Sequence, residues 1–205
     1  MQRRKSPTTV IVTIIVVIAS ICCLGVVGLG FLGYKFMKGT AFPLAGCMVA
    51  FTDVQSAVHR YADSHGGKLP NAETWQDDVK QYYVEIAGSH GSKGPFEIMK
   101  ADGDWGCAIG ENAEKTGMAF NSSLSGKPIA QYNDQLGVVL LFEIDKPRRN
   151  AAEPFKPRDK MSSPKMLGQP RGWIYAPLNG QANIESPNGP GLRINGNSNF
   201  DRRSN

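Results

Sequence analysis

The chain has 205 residues, 41% of them hydrophobic, 20% charged and 9% aromatic, which excludes collagenous, fibrous and wholly disordered classes. Its formal charge of +5 is unevenly placed: residues 1–36 hold four of the 23 cations and none of the 18 acids, so residues 37–205 carry 19 against 18. So neutral a remainder argues against a nucleic-acid binder, which would concentrate cations on its folded face.

Arg3, Arg4 and Lys5 form a basic flank over residues 1–8, and from Ser6 to Tyr34 no charged residue or histidine occurs. As a helix, Val10–Leu32 would cover roughly 34 Å at about 1.5 Å per residue, against a hydrocarbon core of about 30 Å. Glycines and β-branched residues weaken a helix in water, but in lipid no other backbone conformation satisfies its own hydrogen bonds. The expectation is a single transmembrane helix over 9–36, in contact with membrane lipids. The basic flank stays in the cytoplasm by the positive-inside rule, and the remainder lies outside the inner (cytoplasmic) membrane. A cleaved signal peptide has a shorter apolar region, so an uncleaved anchor is favoured. A rival reading rests on Leu44-Ala45-Gly46-Cys47, the tetrapeptide at which bacterial lipoprotein precursors are cut and acylated. It gives a lipid-anchored or membrane-tethered envelope binding module.

Residues 37–46 read as a linker, with Pro43 separating one helix from the next. From Cys47, Phe51, Val54, Val58, Tyr61 and Ala62 recur at helical spacing, predicting an amphipathic helix of about 18 residues ended by Gly66-Gly67. Asn71 or Thr74 opens a second helix through Trp75, Val79, Tyr82, Tyr83 and Ile86. Residues 88–115 read mostly as loop. Gly117–Asn121 is a short strand, Ser122–Gly126 a turn, and Val138–Ile144 the strongest strand, apolar on both faces and so central. Residues 145–172 hold five prolines and eight cations against three acids, which predicts a long, solvated loop with little to anchor it in a core. Trp173–Leu178, Asn179-Gly180 and Gln181–Glu185 read as strand, two-residue type I′ turn and strand, with Pro177 marking an edge or a bulge. Residues 186–205 read as a disordered tail.

In this order the chain resembles type IV pilin-like proteins and the pseudopilins of type II secretion, most closely the group with a His-x9-Asp-Gly signature. The likeness covers Cys47–Ile184. It rests on Cys47-x14-Tyr61-Ala62, Gly67-Lys68-Leu69-Pro70, Phe120-Asn121-Ser122-x-Leu124-Ser125-Gly126 and Val139–Glu143. Gln169, nine residues and Asn179-Gly180 keep the spacing of the signature without its His and Asp. The likeness implies an α+β pilin-like head over 47–185, an amphipathic helix packed on an antiparallel sheet. It also implies a structural or interaction role and pilin-like or secretion-system partners. The junction such proteins carry before the apolar run is replaced here by Arg4-Lys5-Ser6-Pro7-Thr8-Thr9, with no Gly-Phe pair and no glutamate. A head held permanently on its anchor fits that departure better than a polymer subunit does.

The resemblance also implies a cysteine near each of Cys47 and Cys107, two residues that an oxidising compartment could keep either paired or as separate thiols. No Cys-x-x-Cys pair suggests zinc, and no nucleophile motif suggests an enzyme, so no cofactor is expected. His59 and His65 stand six apart, a poor spacing for one metal. Asp102-Gly103-Asp104 with Glu111 and Glu114 hints at calcium but lacks an EF-hand's alternation. Asn121-Ser-Ser fits a glycosylation sequon or a plain turn. Lys146, Arg148, Arg149, Lys156, Arg158 and Lys160 read as a solvated basic loop or a surface for anionic partners.

Overall fold

A computed structural model describes residues 33–34, 42–89, 105–107, 115–135, 137–166 and 168–185. The chain divides into two units, Met1–Gly39 and Thr40–Asn205. In the first only Gly33 and Tyr34 are described, both helical. Apart from these two residues the predicted membrane span lies outside the described residues, as do Asp102, Asp104, Glu111, Glu114, His90 and the tail at 186–205. Among the described residues no helix is long and apolar enough to cross a membrane.

The second unit is α+β, two helices packed against a mostly antiparallel sheet. Helix α1 runs Phe42–Ser64. It starts five residues before Cys47, inside the stretch read as a linker, because Pro43 falls in its first turn, where a missing N–H costs nothing. It stops at Gly66 and Gly67, whose φ values of 65° and 78° are left-handed, and Gly67 N–H donates to Ala62 O at 2.7 Å. Phe51, Val54, Ala57 and Val58 are buried along its inner stripe, while Tyr61 is only half-buried. Helix α2, Trp75–Ser89, follows Thr74, whose carbonyl accepts from Asp78 N–H at 2.9 Å. Trp75, Val79, Tyr83 and Ile86 face inward.

The strands are β1 (Gly106–Cys107), β2 (Thr116–Asn121), β3 (Val139–Ile144), β4 (Ala152–Glu153), β5 (Lys165–Met166), β6 (Gln169–Pro170), β7 (Trp173–Pro177) and β8 (Asn183–Glu185). The main sheet has the order β1-β2-β3-β7-β8, with β4 pairing β2 in parallel; β5 and β6 form a separate hairpin. The third position of β3 in this order agrees with its apolar sequence. At Val139/Leu141 its register against β7 shifts by one residue beside Pro177, the expected bulge. Leu140 and Leu141 consequently both join the larger core with the helices.

Two readings need correction. β7 ends at Pro177 and β8 begins at Asn183, so the five residues 178–182 connect them rather than a two-residue type I′ turn. Gly180 has a positive φ of 114° and Asn179 does not, whereas type I′ needs both. Residues 145–172 are largely exposed, as a solvated loop would be, but they are not without anchors: they cross the outer face of the sheet as a strap that includes β4, β5 and β6. Its Ala151, Ser163 and Arg171 are buried.

Candidate functional site

The two faces of the sheet are covered differently. On the inner face α1 and α2 enclose Met118, Phe120, Leu141, Ile174 and Ala176, with the rings of Trp75 and Trp105 5.4 Å apart. Cys47, fully buried in α1, stands at disulfide distance from Cys107 in β1, Cα to Cα 5.8 Å, which ties the helix to the end strand across 60 residues of chain. On the outer face Ala119, Phe142, Ile144, Trp173 and Tyr175 form a second, smaller cluster, and the strap lies over it.

The strap is held at three places. At its start Asn150 docks on the first turn of α2: its Oδ1 accepts from Gln76 N–H at 2.8 Å, and its own N–H donates to Gln76 Oε1 at 2.6 Å. Its Nδ2 donates to Asp77, which also pairs with Arg149 at 2.5 Å. These donors hold the Asp77 carboxyl below the usual carboxylate range. An Asn suits this position because its φ of 50° is left-handed. One residue on, Ala151 O accepts from Trp75 Nε1–H at 2.9 Å and from Phe120 N–H.

In the middle, Phe155 sits edge-on to both Phe142 and Tyr175, each 5.4 Å away. Its N–H donates to Asn121 Oδ1. The Asn121 Nδ2 donates to Val139 O at 2.8 Å, so the sequon asparagine is committed to the fold. Arg158 lies 4.9 Å over Trp173 and 5.9 Å over Phe142, with Glu153 and Asp145 as its ion partners. Lys160 reaches Glu185 at 2.9 Å, and Trp173 Nε1–H donates to Asp159 O. Arg148 reaches Glu153 at 4.0 Å, so Arg148, Arg149, Arg158 and Lys160, four of the six loop cations, are paired within the unit.

At its end the strap enters the interior. Arg171 pairs with Glu143 through both terminal nitrogens, and both side chains are at most 2% exposed. Thr116 Oγ1–H and Ile174 N–H also donate to this carboxylate. Neither charge could be buried alone, because desolvation of one without the other costs several kcal/mol.

The signature positions are not brought together. Gln169 is exposed in β6 ahead of β7, and Asn179 and Gly180 follow β7, so the whole strand separates them. Asn179 Nδ2 donates to Tyr132 O, and Gly180 O accepts from Gln55 Nε2 at 2.9 Å, which docks the β7–β8 connection on α1. His59 Nε2 meets Leu178 O at 2.8 Å in the same contact. At the end of α1, Ser64 Oγ lies 3.0 Å from His65 Nδ1. That nitrogen is also 2.8 Å from Tyr61 O and must donate there, so it is no base for the hydroxyl. Among the described residues no group of His, Cys, Asp and Glu could hold a metal.

The Glu143–Arg171 pair was missed from sequence. One acid within an apolar central strand was a signal that a buried cation must exist. Nothing in the pattern said which of the strap's eight it was. No protein-family model, curated protein or solved structure matches this chain.

Proposed function

We propose that the chain is a membrane-anchored, extracytoplasmic protein of pilin-like type, with a structural or interaction role and no catalytic one. The observation that carries this reading is the Cys47–Cys107 pair within a helix-on-sheet head that follows a charge-free stretch of 29 residues. Such a pair persists where the compartment is oxidising, and the apolar stretch is what would deliver the head there. The head's chemistry supports the rest. The buried Asn121, Glu143 and Arg171 hold the strap, and among the described residues the hydroxyl–imidazole contact at the end of α1 is oriented against catalysis.

The lipid-anchored alternative fits this geometry less well. A cut before Cys47 would remove Phe42–Gly46 from α1, and the acyl group would have to leave a position with no exposure. The test is made on membranes of cells expressing the full chain. Extraction should leave it in the bilayer at high pH, with its intact mass retaining residues 1–46. Protease added outside the cytoplasmic membrane should reach the head. A maleimide mass tag should label Cys47 and Cys107 only after reduction. A head protected from outside protease, or Cys47 and Cys107 labelled without reduction, would refute the reading. Co-purification of pilus or secretion components would narrow the role.

A further inference from the structure

We infer that the outer face of the sheet is a docking surface for an extended peptide carrying a Phe-x-x-Arg spacing, and that the strap occupies it as an internal stand-in.

The first observation is the length of the connection. β3 and β7 are adjacent antiparallel strands that a short turn could join, yet residues 145–172 intervene. The second is how the strap occupies the face. Ala152 and Glu153 add to the edge of β2, pairing Phe120 and Asn121, as a bound peptide adds to a sheet. Phe155 then fills the slot between Phe142 and Tyr175, and Arg158, three residues later, covers Trp173. The third is the balance of the grip. Between the firm anchors at Asn150–Ala151 and Arg171 the hold is lighter: among the described residues Phe155 is the large apolar strap side chain in the second cluster, beside two-residue pairing, the single bonds to Asn121 and Trp173, and rim ion pairs that water can replace.

The fourth observation is a defect in the fit. The Tyr175 hydroxyl, in a residue 5% exposed, makes no hydrogen bond of normal geometry, although Glu185 and the Arg158 main chain lie near it. An occupant that places an acceptor at normal distance and angle there would gain a buried hydrogen bond that the strap makes poorly. The inference concerns the head alone and does not depend on where the head resides.

The experiment uses the full-length chain and a synthetic peptide of residues 151–160. Hydrogen exchange of the unaltered protein should show the amides of Ala151–Lys160 exchanging on the order of a hundredfold faster than those of β3. The Phe155→Ala chain, deprived of its own anchor, should bind the peptide saturably and regain protection at β2 and β7. The same peptide with Phe155→Ala should not bind. Exchange of the strap at the rate of β3 would overturn the inference, as would equal binding of both peptides or of neither. A dimer formed by reciprocal strap exchange would overturn it in favour of a second copy as occupant.

Discussion

The inner and outer faces of one sheet are closed by opposite means. Inside, α1 and α2 bury an almost wholly apolar interface with the rings of Trp75, Trp105, Phe120 and Tyr83 interleaved. Outside, one aromatic side chain and a ring of charged and amide groups do the covering. Apolar contact is proportional to area and indifferent to small displacements, whereas polar contact is directional and competes with water. The inner face therefore sets whether the head folds. The outer face sets whether the strap stays down.

The largest effect should come from the inner face. Val58→Asp places an unpaired carboxylate where exposure is zero and should abolish cooperative melting of the head. An unchanged thermal transition by circular dichroism would refute the helix–sheet packing. Next is the link between the faces. Arg171→Met leaves Glu143 charged and buried and should lower stability by about 3–5 kcal/mol in urea. The double variant Glu143→Met/Arg171→Met should lose less than Arg171→Met alone. If the two lose equally, the cost is one of packing and not of the orphaned charge.

Removing the disulfide through Cys47→Ser/Cys107→Ser opens a loop of 60 residues and should cost about 4 kcal/mol in the chain-entropy model. Denaturation with and without reductant checks this, since reductant should no longer matter in the variant. Asn150→Ala removes the pin on α2 and places a Cβ-bearing residue without a polar side chain at a left-handed φ, for about 1–2 kcal/mol. Asn150→Gly should recover the backbone part only. Both should accelerate exchange in the strap while leaving α1 unchanged.

The smallest effects are those of pH, and they bracket the strap from both sides. Asp77 has a lowered pKa, through its bonds from Arg149 and Asn150, so its contribution is full above the ordinary carboxylate value of about 4 and is lost as pH falls through the lowered one. Burial first, and then the charge of Glu185, push the Tyr175 hydroxyl up to about 12. Its contribution is complete below about pH 10 and is lost as pH rises towards 12. Trp173 fluorescence, which reports the strap through the bond to Asp159, should shift at both ends while far-ultraviolet dichroism holds. A flat signal across both windows would mean that these groups do not hold the strap.

Much of the inner face was legible because periodicity is a local property. The stripe from Phe51 to Val58, the left-handed exit at Gly66-Gly67, the β3 run and the bulge marked by Pro177 follow from residue spacing and backbone sterics. The strap was not legible. Ala151, Asn150 and Arg171 carry no pattern of their own, and what fixes them are single partners far along the chain: Trp75, Gln76 and Glu143. Composition there correctly reported many cations and prolines and a largely exposed segment, but not its buried anchors, because a charge's environment depends on what folds against it. The Gln169 and Asn179 spacing was likewise a fact about the chain, and strand β7 holds the two apart.

By itself the sequence determined the α+β class, the inner core and the 29 uncharged residues ahead of it, because burial and helical or strand period are written residue by residue. The tertiary structure alone decided which cation meets Glu143, which main-chain groups the strap answers, and that the outer face is covered at all. Those are pairings across 28 to 76 residues, and pairwise electrostatics and hydrogen bonds leave no periodic trace in the chain that makes them.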